Sequence, residues 1–402
     1  MHLAGTLLLL IAAAASAQPR APGRAILPAA ETAQATLIGR IEGITQLDPS
    51  GYTAMVEVER VLVGTEPPGG VVLIGWEELS RGRPPRFADG QRVLLVLDTL
   101  PQGSLWQRRF PPDSKTLAVA AGGDAFLLDP EARDIDPLAA YLQLGEPGTP
   151  QARAAALVRI ALESSPPLAG AALGRLTATP NLGGALNAEA MAQLMRAASD
   201  ANMALPLRRQ IVALVGYGRL TAAVPALETL ARGGELEADA LGALGEIRGG
   251  LPPEQVDRLL DRPEPALRVV GARFARGALA ERRLPILVRS DPAPVVRSAA
   301  AVALAATRTA WGLDGALPAL ADPDPMVRST AAQALGALGS SAVPTLESVA
   351  RTRPAEARGA VTALSLAGPT GVAAVRRLAD EHPDPRLRDF ARLALGKGPH
   401  AH

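Results

Sequence analysis

The chain has no cysteine, four histidines, two lysines and only 3% aromatic residues. Without cysteine there is no disulfide scaffold, zinc knuckle, iron–sulfur cluster or thiol nucleophile. The histidines are His2, His382, His400 and His402, none in an HExxH pattern and none paired on a helix. A metal site is therefore not expected. A Ser–His triad would have to use His382, and no serine sits in G-x-S-x-G. A lysine nucleophile would have to be Lys115 or Lys397. Gly69-Gly70 and Gly249-Gly250 lack the Gly-Lys-Ser/Thr ending of a phosphate-binding loop. The paired carboxylates read otherwise, Glu77-Glu78 as a strand end and Asp322 with Asp324 as helix caps. These absences argue for a non-enzymatic chain with no cofactor. Lys+Arg 41 against Asp+Glu 40 leaves a net charge of +1, so no charge excess points to nucleic acid or an anionic membrane.

What is present begins with an apolar run, Leu7 to Ala15, followed by Ala15-Ser16-Ala17. That small-x-small pattern reads as a signal peptide over residues 1–17, with Gln18 as the new N-terminus and residues 18–33 as a flexible leader. No later stretch of the ~20 residues that a membrane span needs lacks charge. The expectation is an exported protein, periplasmic or extracellular, and not an integral membrane protein after cleavage.

Residues 34–145 read as strands: Ala35–Leu47, Tyr52–Leu62, Gly70–Trp76, Arg92–Leu100, Thr116–Ala121 and Ala125–Leu128. In the second, Ala54, Val56 and Val58 alternate with Met55, Glu57 and Glu59, the period of a half-buried sheet. Turn-forming residues such as Asp48-Pro49-Ser50-Gly51 and Pro67-Pro68-Gly69-Gly70 separate the strands. Seven of the eleven aromatics precede residue 145, where a small β core uses them. Short strands at this density predict a closed or half-closed barrel. The order of Leu37-Ile38-Gly39-Arg40, Glu59-Arg60-Val61-Leu62, and Phe87-Ala88-Asp89-Gly90 leading into Arg92 resembles the OB-like barrel of the netrin and metalloproteinase-inhibitor type. The inhibitors of that family begin with a zinc-chelating cysteine. This chain has none, so inhibition does not carry over.

From residue 149 to 402 short amphipathic helices repeat. Arg262-Pro-Glu-Pro-Ala-Leu-Arg268, Asp291-Pro-Ala-Pro-Val-Val-Arg297, Asp322-Pro-Asp-Pro-Met-Val-Arg328, Arg353-Pro-Ala-Glu-Ala-Arg358 and His382-Pro-Asp-Pro-Arg-Leu-Arg388 align. Their terminal arginines are 29, 31, 30 and 30 residues apart. Ala223–Ala231 matches Ala342–Ala350, which places Arg209 on the same phase. In the copy from Asp322, Val327, Ala331, Ala334, Leu335 and Leu338 share one helical face, and Gly339-Ser340-Ser341 breaks the helix. No such helix buries its apolar face alone, so stacking must make the core.

This region resembles the short bacterial HEAT repeats, also called lyase-like after a bilin-attaching enzyme family. The resemblance implies an α-solenoid whose phased arginines, Arg209, Arg268, Arg297, Arg328, Arg358 and Arg388, bond an aspartate or carbonyl of the adjacent repeat. One HEAT-like family, the deoxyhypusine hydroxylases, holds iron with His-Glu pairs; this chain has only Glu381-His382, in reverse order.

The resulting fold class is multi-domain: an all-β OB-like barrel followed by an all-α HEAT-repeat solenoid. Charge divides unevenly between them. Glu31–Gly145 holds 10 basic against 16 acidic residues, and Glu146 onward 29 against 24. Positions one, five and nine residues beyond the phased arginines predict a small, nearly uncharged exposed strip for a protein partner. On it stand Val269, Arg273, Ser298, Val302, Ser329, Gln333 and Ala363. The Arg81–Arg83–Arg86–Arg92 cluster around Phe87 is basic, yet an exported chain gives no reason to expect nucleic acid there. The function expected is a scaffold or adaptor for other proteins. The alternatives are a HEAT-like enzyme (lyase or hydroxylase) and a barrel that binds a peptide or glycan.

Overall fold

A computed structural model of the chain describes residues 25–47, 49–77, 86–100, 116–120, 124–145 and 148–396. The signal-peptide reading falls outside them. Six strands lie close to the predicted ones: β1 (Ala35–Gln46), β2 (Gly51–Val63), β3 (Val71–Glu77), β4 (Arg92–Thr99), β5 (Leu117–Val119) and β6 (Phe126–Leu128). Their order is β1-β2-β3-β5-β4, and β4 pairs back onto β1 to close the ring. The β3–β5 pairing is parallel and the other pairings are antiparallel; β6 extends the sheet along β4. The fold is the expected OB-like barrel.

Alternation decides which residues fill it. Ala54 and Val56 point inward and are buried, while Met55 and Glu57 face out. The aromatics form one chain through the core. Tyr52 stacks on Trp76, Trp76 meets Phe87 edge-on, and Phe87 meets Phe126 edge-on at 5.0 Å. Gly39 on β1 lies so close to β2 that a methyl group there would run into the Glu57 carbonyl.

The chain divides into two compact units, Gln18–Ile247 and one containing Arg248–His402. The division between these units falls inside the helical region. The first unit holds the barrel with α1 (Ile26–Ala30), α2 (Ala132–Leu144), α3 (Pro150–Glu163), α4 (Pro166–Ala178) and α5 (Pro180–Gly183). It continues with α6 (Ala188–Ser199), α7 (Leu205–Tyr217), α8 (Val224–Leu230) and most of α9 (Glu237–Arg248). The second unit contains α10 (Pro253–Leu260), α11 (Pro265–Phe274), α12 (Gly277–Ser290), α13 (Pro294–Ala306) and α14 (Ala310–Ala316). After these come α15 (Pro325–Gly336), α16 (Val343–Thr352), α17 (Ala357–Leu366), α18 (Pro369–Glu381) and α19 (Pro385–Gly396).

Two local assignments differ from the sequence reading. Within the supposed flexible leader, Ile26–Ala30 is helical, with Ile26 and Leu27 wholly buried. The burial of these two large aliphatic residues, in a helix that packs on α4 and β4, offsets part of the chain entropy lost in ordering the segment. Helical structure also starts earlier than residue 149, because α2 docks on α3. Asp134 fixes that junction: its carboxylate caps the start of α2 and accepts the Ser165 N–H at 2.7 Å.

In the second unit the helix starts follow the repeat. Proline occupies the first turn of α11, α13 and α15, where its missing N–H costs nothing. Asp324 caps α15 by accepting from Met326 N at 2.8 Å. Val327, Ala331, Ala334 and Leu335 are buried as their spacing predicts. Consecutive helices α11, α13, α15 and α17 pack on one another, so each repeat buries the face its neighbour exposes.

Candidate functional site

The most ordered chemistry of the second unit is a row of guanidinium groups. Arg268 donates Nε to Asp291 Oδ2 at 2.8 Å and Nη2 to Oδ1 at 3.0 Å. One repeat on, Arg297 meets Asp322 through the same two atoms at 2.7 and 2.8 Å. The third nitrogen, Nη1, turns back to its own loop: Arg268 to the Arg262 and Pro263 carbonyls, Arg297 to the Asp291 carbonyl. Asp291 and Asp322 also accept the backbone N–H two residues on, each at 2.9 Å. Each pair thus ties a loop to the next repeat.

These pairs are charge-assisted and shielded from water. Hydrogen bonding to Asp291 and Asp322 raises the two arginine pKa values further, against the cost of burial. Burial pushes the Asp322 carboxyl up, but the Arg297 hydrogen bonds, the Asp324 N–H and the nearby arginine charges outweigh it. The group is held below its ordinary value.

The row then changes. Arg328 repeats the loop contacts, Nη1 reaching the Asp322 carbonyl at 2.6 Å and the Pro323 carbonyl at 2.9 Å. At the place of the next aspartate, before the proline, stands Arg353, whose guanidinium goes to Asp314 at 3.2 Å. Arg358 is exposed and lies over the Phe390 ring at 5.7 Å, in a loop one residue shorter than its counterparts. His382 occupies the aspartate position of the last repeat. Its Nδ1 accepts the Asp384 N–H at 3.1 Å, while among the described residues its buried Nε2 meets no hydrogen-bond partner. Arg388 closes the series with Nη1 on the His382 carbonyl at 2.7 Å.

Arg209 departs from this pattern. It pairs with Asp239 at 3.3 Å, half-exposed, and burial raises the Asp239 pKa. The buried guanidinium is that of its neighbour Arg208, which donates Nε to the Ala198 carbonyl at 2.8 Å and meets Glu235 at 3.2 Å. The phase that the sequence assigns to Arg209 therefore falls one residue past the group that packs inward.

The expected strip is not one surface. Ser329 and Gln333 are exposed, and Val269 and Arg273 are half-buried. Ser298, Val302 and Ala363 are buried. Helix α13 is covered by α11 on one side and α15 on the other, and Ala363 lies against Gly336. What does repeat on the surface is the residue after the first-turn proline, Val295 in α13 and Met326 in α15, 52% and 51% exposed.

In the first unit, Glu31 at the end of α1 receives two arginines and a tyrosine. Arg153 Nη2 lies at 3.1 Å, Arg175 donates Nε at 3.0 Å and a second bond through Nη2, and the Tyr141 hydroxyl donates to Oε1. Burial and the Glu31 carboxylate both raise the Tyr141 pKa, which keeps its proton in place. This clasp joins α1 to α2, α3 and α4. An open groove of about 570 Å³ lies elsewhere in the same unit, lined by Met191, Met195, Ala222, Pro225 and Ala226 with Arg196 beside them. Among the described residues no group of three or more His, Asp or Glu is arranged to hold a metal ion.

The family model described as HEAT repeats matches residues 280–367. Human deoxyhypusine hydroxylase in complex with glycerol is similar at 20% identity and a TM-score of 0.24, covering 65% of this chain and 96% of that one. Kap121p bound to Pho4p is similar at 12% identity and a TM-score of 0.36, covering 64% of this chain and 36% of that one. No curated protein matches the chain in sequence.

Proposed function

We propose that this chain, which carries HEAT repeats, is an exported scaffold that binds partner proteins through the exposed side of its repeats and performs no catalysis itself. The observation that carries the reading is a division of labour between the inside and the outside of neighbouring repeats. Buried guanidinium–aspartate pairs fasten loop to loop, while apolar Val295 and Met326 recur outside at the same phase, on helices that pack together. Large aliphatic side chains left in water at a repeating position supply the apolar anchors that protein interfaces use. Ser329 and Gln333 extend that surface with small and polar contacts.

Two measurements test this reading. Photo-crosslinkers at Ser329 and Gln333 in the native cell should give discrete adducts that a crosslinker at Ile286 does not. Metal analysis and an absorption spectrum of purified protein should show neither stoichiometric iron nor a chromophore; either one would favour the HEAT-like enzyme. Export is tested by the N-terminus of the mature protein, expected at Gln18.

The barrel supports a second reading. OB folds take ligands across strands 2 and 3, and there Met55 and Val71 stand 49% and 42% exposed on adjacent strands. A peptide or glycan bound by the barrel would perturb the NMR signals of these two residues.

A further inference from the structure

Compared with itself, the repeat reveals an unfilled position. At Arg268 and Arg297 the Nε/Nη2 edge of the guanidinium is closed by a carboxylate from the next repeat, in bidentate geometry at 2.7–3.0 Å. At Arg328 the loop contacts of Nη1 are kept, so the guanidinium stands in the same local frame. The residue that should supply the carboxylate is Arg353, a cation, and it is drawn away to Asp314. Among the described residues no carboxylate meets Nε or Nη2 of Arg328. The nearest candidate in sequence, Asp322, has both oxygens taken: Oδ2 by Arg297, Oδ1 by Arg297 and the Asp324 N–H. Asp324 is committed to capping α15.

We infer that the Nε/Nη2 edge of Arg328 is a binding position for an aspartate or glutamate side chain of a partner protein. A planar fork presents two parallel donors that match a carboxylate, and two neighbouring repeats show that occupant in place. Met326, two residues earlier on α15, is exposed on a different face of the helix, about 200° round from Arg328. The segment that fits is therefore acidic, its carboxylate on Arg328. This names the partner chemistry of the scaffold surface proposed above and rests on that reading.

The test is fluorescence anisotropy of the full-length chain with a fluorescein-labelled peptide of glutamates interspersed with leucine. Arg328→Lys keeps the charge and removes the fork. Arg353→Asp supplies the missing carboxylate in cis. Each should weaken peptide binding by about tenfold, the loss of one bidentate charge-assisted contact. Arg353→Asp should at the same time leave the melting temperature unchanged or raise it. Arg392→Gln, which removes an exposed arginine elsewhere in the unit, should leave the affinity within about twofold. Wild-type affinity in both Arg328→Lys and Arg353→Asp overturns the inference, as does an equal loss in Arg392→Gln. A phosphoserine peptide of equal charge that binds more tightly overturns the assignment to carboxylate. The scaffold reading fails separately. Peptide binding indifferent to these variants, with crosslinks from Gln333 retained, removes only the acidic segment. Loss of the crosslinks as well removes both.

Discussion

Arg297 joins two repeats with one side chain: its Nε and Nη2 grip both oxygens of Asp322, while its Nη1 holds the Asp291 carbonyl of its own loop at 2.8 Å. Only 12% of the Arg297 side chain and 5% of the Asp322 side chain reach solvent. Removing one partner would strand the other away from water, which makes the pair costly to break although its net gain is modest. Asp322→Asn should lower the stability of the second unit by about 2–4 kcal/mol. Urea unfolding followed by hydrogen exchange across α13 and α15 checks it. A loss below about 0.5 kcal/mol would mean the pair is no more than a surface contact.

Acid should act through the same groups. The Asp322 carboxyl is held below its ordinary value of 3.8 by Arg297, against burial. Glu347 is held below 4.5 chiefly by its hydrogen bonds with Arg377. A carboxyl depressed in the folded state contributes stability that is present above its unfolded pKa and lost as pH falls through the folded one. The urea midpoint of the second unit should be flat from neutral pH down to about 5 and should fall below about 4.5. An Asp322→Asn/Glu347→Gln variant should start lower and fall less steeply. Asp239, raised by burial, carries the opposite sign: its contribution is lost as pH rises through its folded pKa. Asp239→Asn should therefore cost nothing at neutral pH.

Glu31 is the hub of the first unit's clasp, since Arg153, Arg175 and Tyr141 all converge on it. Glu31→Gln should destabilise that unit by about 1–3 kcal/mol, less than a wholly buried pair because a fifth or so of each charged group reaches water. Amide exchange should accelerate first in α1, which is short and cannot hold itself as an isolated helix. Unchanged protection at Ile26 and Leu27 would show that apolar burial suffices there.

Two helical glycines should respond oppositely to the same change. A Cβ on Gly336 would lie 2.7 Å from Leu366 Cβ and 2.8 Å from the Ala363 carbonyl, so α15 and α17 could not keep their approach. Gly336→Ala should cost about 1–3 kcal/mol. Gly174 in α4 has nothing within 4 Å, and Gly174→Ala should stabilise by up to about 1 kcal/mol through helix propensity. Thermal melts of the two variants compare them directly.

Periodicity made much of this legible in the sequence. The barrel strands followed from alternation and the arginine row from its spacing, because both are local rules repeated along the chain. The strip beyond the arginines was not legible. Whether Ser298, Val302 or Ala363 meets water depends on the neighbouring helix, and the spacing within one helix does not report it. Arg209 and Arg208 differ by one residue, about 100° of helix, which decides which is buried. The clasp could not be anticipated either, since Glu31 and Arg175 are 144 residues apart. The unfilled edge of Arg328 did leave a signal: arginine stands at 353 where the repeat has aspartate at 291 and 322.

We propose that the exposed side of the repeats, around Met326, Ser329 and Gln333, holds a partner protein. The direct measurement is site-specific photo-crosslinking at Ser329 and Gln333 in the living cell. Adducts are identified by mass spectrometry, and the affinity of the purified partner is then measured for wild type and Met326→Asp. The expected result is one or a few discrete adducts and a partner affinity that falls about tenfold or more in Met326→Asp, as for loss of an interface anchor. Adducts no different from those at Ile286, or a partner indifferent to Met326→Asp, would contradict it.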